Sequence, residues 1–561
     1  MRILFITHAF NGLSQRLFIE LTALGHEVSI ELDINDQVTS EAVELFRPHL
    51  ILAPYLRRAI PEPIWRNYVC LIVHPGVVGD RGPSALDWAI LNAEKSWGVT
   101  VLQAEAEMDA GAIWAEATFP MRIAKKSSLY RHEVTDAAVK SVCAAVTRLN
   151  DYKNGIWQPM PLHSISAHGQ LRPLMKQIDR TIDWLSDDSI TVLNKINAAD
   201  GFPGVADRLF DQDCFLYDAR IFPAQGSAGE LLGMSEIGVV RATIDGAIWI
   251  GHVRSMDYVA PIKLPTTVVF PQAKSLPYLV DDSDIRYVEQ GEVGYLHFEF
   301  YNGAMGTMAC ERLLAAYRLA KKRPIRVIVL MGGTDFFSNG LDLNVIEAAE
   351  SPADESWQNI NAMDDLCREI IETSTHLTIS ALQGNAGAGG AFLALAADYI
   401  WARHGIILNP HYMNMGNLYG SEYWSYLLPR RVGAGMSTKI MHHRLPMGVV
   451  EAHKIGFIDD YFESDLDDFV AQVTLNAELL AGRIDFTQLL ANKSSQRAAD
   501  EVQKPLSQYR AEELVHMQRN FYGFDPSYHV ARHHFVHKTL HSWTPRHLAK
   551  HRELGWVLPY D

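Results

Sequence analysis

Short apolar runs open the chain, each followed by a longer stretch with helical spacing of its apolar positions. The runs are ILFI (3–6), EVSIEL (27–32), HLILAP (49–54), VCLIVH (69–74) and GVTVLQA (98–104). Strands alternating with helices in this way predict an α/β domain on a mostly parallel, Rossmann-like sheet. Between about residues 165 and 270 the texture changes to short strands broken by Gly and Pro. CFLYDARIFP (214–223), GVVRAT (238–243) and AIWIGHV (247–253) are examples, and they predict a small β-rich domain. Residues 271–285, PQAKSLPYLVDDSDI, read as a linker. The α/β pattern then returns with RPIRVIVLMGG (323–333), and helices run to the C-terminus. The expected domains are residues 1–162, 163–275 and 285–561.

One apolar stretch could be mistaken for a membrane span. Residues 378–397 carry no charge over 20 positions, but Gln383, Asn385 and four glycines interrupt them. That cluster would fall in mid-bilayer, so a buried strand, a loop and a buried helix are expected instead, with no membrane partner. The first ten residues, MRILFITHAF, look like a strand rather than a signal peptide. The five cysteines are scattered with no CxxC pair, which suggests neither a disulfide framework nor a zinc site, and a cytoplasmic location is expected.

A length of 561 residues exceeds what one core supports. Lys and Arg number 50 against 66 Asp and Glu, a net charge of −16, which argues against a general nucleic-acid binder. A local basic pocket for a phosphorylated ligand remains compatible with that total. The loop after the first strand, Thr7 to Gly12, lacks GxGxxG, so a bound dinucleotide is not expected.

Two places carry candidate chemistry. In the first, His74 ends a buried strand where Gly76, Gly79 and Gly82 open a turn, and Asp109 follows a later strand in GVTVLQAEAEMDAGAIW (98–114). Ligands of open α/β sheets bind beyond the carboxyl ends of strands, so both residues are expected at one crevice. A histidine–carboxylate pair there can polarise a carbonyl and shuttle a proton. The wider pattern, HP…DRGPSALDWAIL and then SWGVTVLQAEAEMDAGAIW, resembles the formyltransferases that use N10-formyltetrahydrofolate, such as methionyl-tRNA formyltransferase. The resemblance extends to about residue 270 through IDWLSDDSITVLNKINAADGFPG (182–204), and implies an OB-like second domain and folate as formyl donor. It also implies a catalytic Asn-x-His and Asp. The His and Asp fall on His74 and Asp109, whereas the Asn position holds Ile72. Loss of that amide puts transfer to an amine in doubt, because a more nucleophilic thiol needs less help.

In the second place, RPIRVIVLMGGTDFFSNGLDLN (323–344) and LTISALQGNAGAGGAFLALAAD (377–398) each run from a strand through a Gly turn to a helix. Backbone N–H groups at such turns can hold an oxyanion. These motifs resemble the crotonase (enoyl-CoA hydratase/isomerase) superfamily over roughly residues 290–480, with LPRRVG (428–433) continuing it. The resemblance implies that the N–H groups of Leu341 and Gly389, or of neighbouring Ala388, polarise an acyl-CoA carbonyl, with Gly340 and Ala388 against the coenzyme A. The family's two hydratase glutamates are replaced by Phe392 and by His411 after Pro410, so water addition is not expected. Polar residues left nearby are His411, Tyr412, Asn414 and Glu422.

A formyl-transfer half joined to such a CoA-thioester half, with FYNGAMGTMACERL (300–313), resembles a family of accessory factors in NiFe-hydrogenase maturation. That family is understood to make carbon monoxide from N10-formyltetrahydrofolate through formyl-CoA. The resemblance implies a bifunctional enzyme, with Tyr412 and Glu422 acting in the second reaction, and a hydrogenase precursor or other maturation proteins as protein partners. Two other readings stand beside it: a formyltransferase for a small amine or sugar nucleotide with an unrelated acyl-CoA activity, and a non-catalytic maturation scaffold.

The C-terminal segment holds seven of the 23 histidines, and His533, His537 and His541 share one helical face. With no interleaved acid or cysteine, no metal is expected there, and a basic helix facing coenzyme A phosphates or a domain interface is preferred, with Arg532, Lys538 and Arg546 as candidates.

Overall fold

The computed structural model describes residues 1–162, 169–256, 262–279, 284–462 and 465–552. The expected boundary at residue 163 and the last nine residues of the expected third domain lie outside the described residues. The chain forms two compact units, one of residues 1–281 with the segment from His541, the other beginning at Asp282.

The first unit begins with a six-stranded sheet in the order Glu27–Leu32, Arg2–Thr7, Leu50–Ala53, Cys70–His74, Ser96–Gln103, Ile113–Pro120. The first four strands run parallel, while Ser96–Gln103 and Ile113–Pro120 are antiparallel to their neighbours. Arg2–Thr7 and Glu27–Leu32 are buried at five of six positions each, as expected for strands covered on both faces. Asn11 starts the first helix, Gly12–Ala23, by accepting the Ser14 N–H at 3.0 Å. The helix Thr135–Lys153 lays Ala138, Val142, Ala145 and Leu149 toward the sheet. A second, antiparallel sheet follows in the order Val205–Leu209, Gln212–Phe222, Ala247–Ser255, Val239–Ala242, Leu231–Met234. Val192 and Ile196 of helix Ser189–Ala199 share its core with Leu216, Ile248 and Ile250.

Glu27–Leu32 is an edge strand, and the chain's C-terminal segment covers it. The Ile30 N–H donates to Leu548 O at 3.0 Å and the Leu32 N–H to Thr544 Oγ1 at 2.9 Å. Glu31 is fully buried and receives His551 Nε2 at 2.7 Å, Arg552 Nε at 2.8 Å and the Thr544 hydroxyl. Burial pushes its carboxyl upward, but those hydrogen bonds outweigh it and hold the group below the usual carboxylate range. Edges left open are templates for wrong pairing, so this cover also has a protective role. Residues 541–552, drawn in the expected third domain, therefore belong to the first unit.

The second unit has a sheet in the order Ile285–Gln290, Val293–Phe298, Val327–Leu330, Leu377–Leu382, Tyr399–Arg403, Asp460–Phe462. All neighbours are parallel except the opening hairpin. A smaller sheet, Phe336–Ser338, Asn385–Gly387, Ile407–Asn409, Met447–Gly448, is built from the segments just after the main strands. The uncharged stretch 378–397 is strand Leu377–Leu382, short strand Asn385–Gly387 and buried helix Gly389–Leu395. Among the described residues, no helix is long and apolar enough to cross a membrane. Helices Phe486–Gln503, Leu506–Tyr522 and Ser527–Val536 complete the unit.

His551→Ala leaves buried Glu31 short of one donor. The expected result is a loss of about 1–3 kcal/mol in chemical denaturation at pH 7, with the fold retained because Arg552 and Thr544 still pair the carboxylate.

Candidate functional site

His74 closes strand Cys70–His74 opposite Thr100, and alternation puts Ile72 on the same face of the strand. The imidazole is buried and bridges two acids. Nε2 lies 3.1 Å from Asp80 Oδ2, and Nδ1 lies 3.6 Å from Asp109 Oδ2, too long for a direct hydrogen bond. Asp109 has a left-handed backbone (φ 54°), and its Oδ2 accepts the Gly82 N–H at 3.1 Å. Asp80 is 2 % exposed and went unnoticed in the sequence, although it lies six residues after His74 in the same glycine-rich turn. The turn is pinned by Trp97 Nε1 on Pro75 O (2.9 Å) and Thr100 Oγ1 on Gly76 O (2.8 Å). Gly76 has no substitute, since a Cβ there would sit 2.4 Å from His74 Nε2 and 2.7 Å from Asp80 Oδ2.

In the second unit the two expected oxyanion turns meet. A Cβ on Gly340, which has φ 76°, would fall 3.1 Å from the Gly389 nitrogen. Helix Gly389–Leu395 begins there, so its first N–H groups have no partner within the helix. The Ala388 N–H donates to Asn409 O at 2.9 Å, which leaves Gly389 rather than Ala388 as the donor beside Leu341. Ala388 itself is strained (φ 46°, ψ −129°), a conformation outside the common regions that sets the direction of the Gly389 amide.

Glu422 stands against this turn. A Cβ on Gly389 would lie 2.1 Å from Glu422 Oε1, and that buried oxygen has no hydrogen-bond partner. The other oxygen, Oε2, accepts the Tyr412 hydroxyl at 2.5 Å and the Ser421 N–H at 3.1 Å. Tyr412 stacks on Phe392 with ring centroids 5.1 Å apart and planes at 17°. The Phe392 ring thus supports the Tyr412–Glu422 pair. Gly420 (φ 86°) lets the Tyr412 ring lie flat on the chain, because a Cβ there would fall 2.0 Å from it. His411 is buried close by in sequence, whereas Asn414 is exposed.

Two more acids surround Glu422. Asp364 Oδ1 accepts the Glu422 N–H at 2.8 Å, and Glu513 accepts the N–H groups of Tyr423 (3.0 Å) and Ser425 (2.9 Å). Ser421 Oγ is 2.9 Å from Asp364 Oδ2 and 3.2 Å from Glu513 Oε2. One hydroxyl hydrogen cannot serve both oxygens, so a proton on one carboxyl completes the set. Burial is the main cause of the upward shifts in all three acids: Asp364 is pushed up to about 7, Glu422 to about 8 and Glu513 to about 8. The charge of Asp364 adds to the shift in both glutamates, and Tyr412 is raised well above the usual phenol range by burial and Glu422. Asp364 and Glu513 were not foreseen. Each sits in the apolar stripe of its helix, Asp364 among Ile360, Met363 and Cys367, and Glu513 between Leu506 and Met517. A charged residue in such a stripe was the available signal.

The expected coenzyme A contacts fare differently. Arg532 is 4 % exposed and held by Glu347 Oε2 (2.7 Å) and His529 Nδ1 (2.8 Å), so freeing it for a phosphate would break a buried ion pair. Arg546 is exposed in the segment that belongs to the first unit.

Comparison with known families gives matches for both halves of the chain. Residues 26–146 match the formyl transferase family and residues 174–258 the formyl transferase C-terminal domain. Residues 301–544 match the enoyl-CoA hydratase/isomerase family. The chain joins formyltransferase-type domains to a crotonase-type domain.

It is 53 % identical to the hydrogenase maturation factor HoxX of Bradyrhizobium diazoefficiens, over 98 % of this chain and 97 % of that one. The crystal structure of HypX from Aquifex aeolicus with tetrahydrofolic acid matches over 100 % of both chains, with TM-score 0.94 and 45 % identity. A 4-chlorobenzoyl coenzyme A dehalogenase from Arthrobacter is 26 % identical over 38 % of this chain and 77 % of its own length. The chain belongs to the HoxX/HypX family of hydrogenase maturation factors.

Gly76→Ala tests the first site. The added methyl should displace His74 and lower formyl-transfer turnover by roughly 100-fold. Circular dichroism and melting temperature should stay close to the parent, since the displaced group is a side chain at a turn.

Proposed function

We propose that the chain makes carbon monoxide in two steps, from N10-formyltetrahydrofolate and coenzyme A. The observation that carries this reading is the Glu422 Oε1 atom, buried, unpartnered and facing the Gly389 α-carbon, where a Cβ would lie 2.1 Å from it. The formyl transferase match and the tetrahydrofolic acid bound by the Aquifex relative support folate as donor. Coenzyme A is supported by the enoyl-CoA family match and by a relative named for a coenzyme A thioester.

In the first step the coenzyme A sulfur attacks the formyl carbon, the C–N10 bond breaks, and the thiol proton ends on N10. His74 donates through Nε2 to Asp80, which leaves Nδ1, on the Asp109 side, as the atom that takes and returns the proton. Ile72 replaces an amide that an amine acceptor would need more than a thiol does. In the second step the Leu341 and Gly389 N–H groups polarise the thioester carbonyl of formyl-CoA. Ionised Glu422 takes the formyl proton as the C–S bond breaks, which releases CO and the coenzyme A thiolate. Glu422 then returns the proton to the thiolate, with Tyr412 holding the carboxylate between the two events. Asp364 and Glu513 keep the proton affinity of Glu422 high enough for both transfers.

Incubating the chain with 13C-formyl folate and coenzyme A should yield labelled CO, and its absence would sink the proposal. Two substitutions should separate the steps. His74→Ala should stop tetrahydrofolate release yet leave CO formation from supplied formyl-CoA nearly intact. Glu422→Gln should preserve folate turnover while CO falls by roughly 10²–10⁴-fold and formyl-CoA accumulates.

The pH dependence follows from the upward shift of Glu422 to about 8. The acting form is the carboxylate, so CO release from formyl-CoA should rise with pH and level off above about 8. A rate that is flat from about pH 6 to 9 would exclude Glu422 as the base.

A further inference from the structure

The histidines of the C-terminal helix lack an acid in sequence, and the fold supplies one. Helix Leu343–Ala348, which starts two residues after Leu341, brings Glu347 against the last turn of helix Ser527–Val536. Glu347 Oε1 lies 2.7 Å from His533 Nδ1 and 3.2 Å from His537 Nε2. The two imidazole rings are 4.2 Å apart, and the three donor atoms lie within 4.8 Å of one another.

We infer that Glu347, His533 and His537 form a binding site for one divalent transition-metal ion of the zinc type. Two imidazoles four residues apart on a helix, plus a carboxylate from elsewhere, are a familiar three-ligand set for zinc, with solvent in the fourth position. Ligand distances of 2.0–2.2 Å put tetrahedral donor atoms about 3.3 Å apart. The 3.2 Å separation is already near that value, the 2.7 Å one has to open by about 0.6 Å, and the two imidazole nitrogens lie within 4.8 Å of each other. His533 is the open side of the site, with its side chain 56 % exposed, whereas Glu347 is 10 % exposed.

Arg532 makes the site more than a carboxylate that has collected cations. Its Nε holds Glu347 Oε2 at 2.7 Å and so already neutralises the acid, while His529 fixes the guanidinium from behind. Oε1 is left turned toward both imidazoles, and an oriented carboxylate is what metal ligands ordinarily receive from their outer contacts. Imidazole nitrogen selects zinc, nickel or copper over magnesium or calcium, which prefer all-oxygen sites. A bound ion would tie the helix that follows the Leu341 turn to the C-terminal helix. The third histidine of the sequence pattern, His541, falls outside this set.

The test uses the full-length chain stripped with a chelator and titrated with zinc chloride, and separately with magnesium chloride. Zinc should bind with one equivalent that His533→Ala and His537→Ala each weaken by at least ~100-fold, with no comparable magnesium site. Cobalt(II) substituted for zinc should give visible bands of a four-coordinate ion, and the histidine variants should lose them. Unchanged melting of His533→Ala without metal would separate ligand loss from misfolding, since that side chain is exposed. An unchanged zinc stoichiometry in the double histidine variant, or magnesium binding as tightly as zinc, would overturn the assignment.

Discussion

The second unit is organised around a shortage of positive charge beside three buried carboxylates. Asp364, Glu422 and Glu513 are each at most 1 % exposed, and the nearest cation, Arg510 Nε, reaches only to 3.5 Å of Asp364. Burying an ionised carboxylate without a counter-ion costs several kcal/mol, so the acids must bind protons or backbone donors. They do both. The N–H groups of residues 421, 422, 423 and 425 all point at carboxylate oxygens, and all three acids have raised proton affinity. Those same bonds hold Glu422 and Tyr423 in left-handed backbone (φ 60° and 59°), a conformation that non-glycine residues adopt only when their surroundings impose it. The network therefore fixes the backbone as well as the protonation of the acid nearest the oxyanion turn.

The first unit applies a milder form of the same constraint. Its histidine is buried between two acids, and the backbone of the glycine-rich turn is packed so closely that Gly76 touches both His74 and Asp80. No cluster of like charges is needed, because one imidazole can satisfy one carboxylate. The C-terminal segment repeats the device at the sheet edge, where Glu31 is kept ionised by His551, Arg552 and Thr544. In both units a buried acid decides where a distant part of the chain must lie.

The departures from the two parent families fit one chemical direction. By the resemblance, Ile72 stands where the formyltransferases carry an amide and Phe392 where the hydratases carry an acid, and Phe392 stacks on Tyr412. The catalytic load proposed for the second half has moved from the helix to the turn at residues 412–422. Glycines 389 and 420 leave the space that this turn fills.

The local code of this chain determined its strands, its glycine turns and the proposed oxyanion donors. Apolar runs of four to eight residues bounded by turns favour strands, although the run 389–395 is a buried helix, and a glycine turn before a helix leaves its first N–H groups without intrahelical partners. His74, Asp109, Tyr412 and Glu422 were legible as candidates for the same reason, since each lies within a few residues of such a turn. Asp80, Asp364, Glu513 and Glu347 were not. Their partners are set by helix faces and strand ends that meet only after folding, and Glu347 finds His533 at a sequence separation of 186. The pairing of Glu31 with His551 spans 520 positions, and no local pattern marks either residue for the other. Which N–H at the second turn is free was also decided by tertiary contact, because Asn409 on a neighbouring strand takes that of Ala388. Periodicity and turn chemistry act over a few residues, whereas the proton affinity of a buried acid depends on every group packed against it.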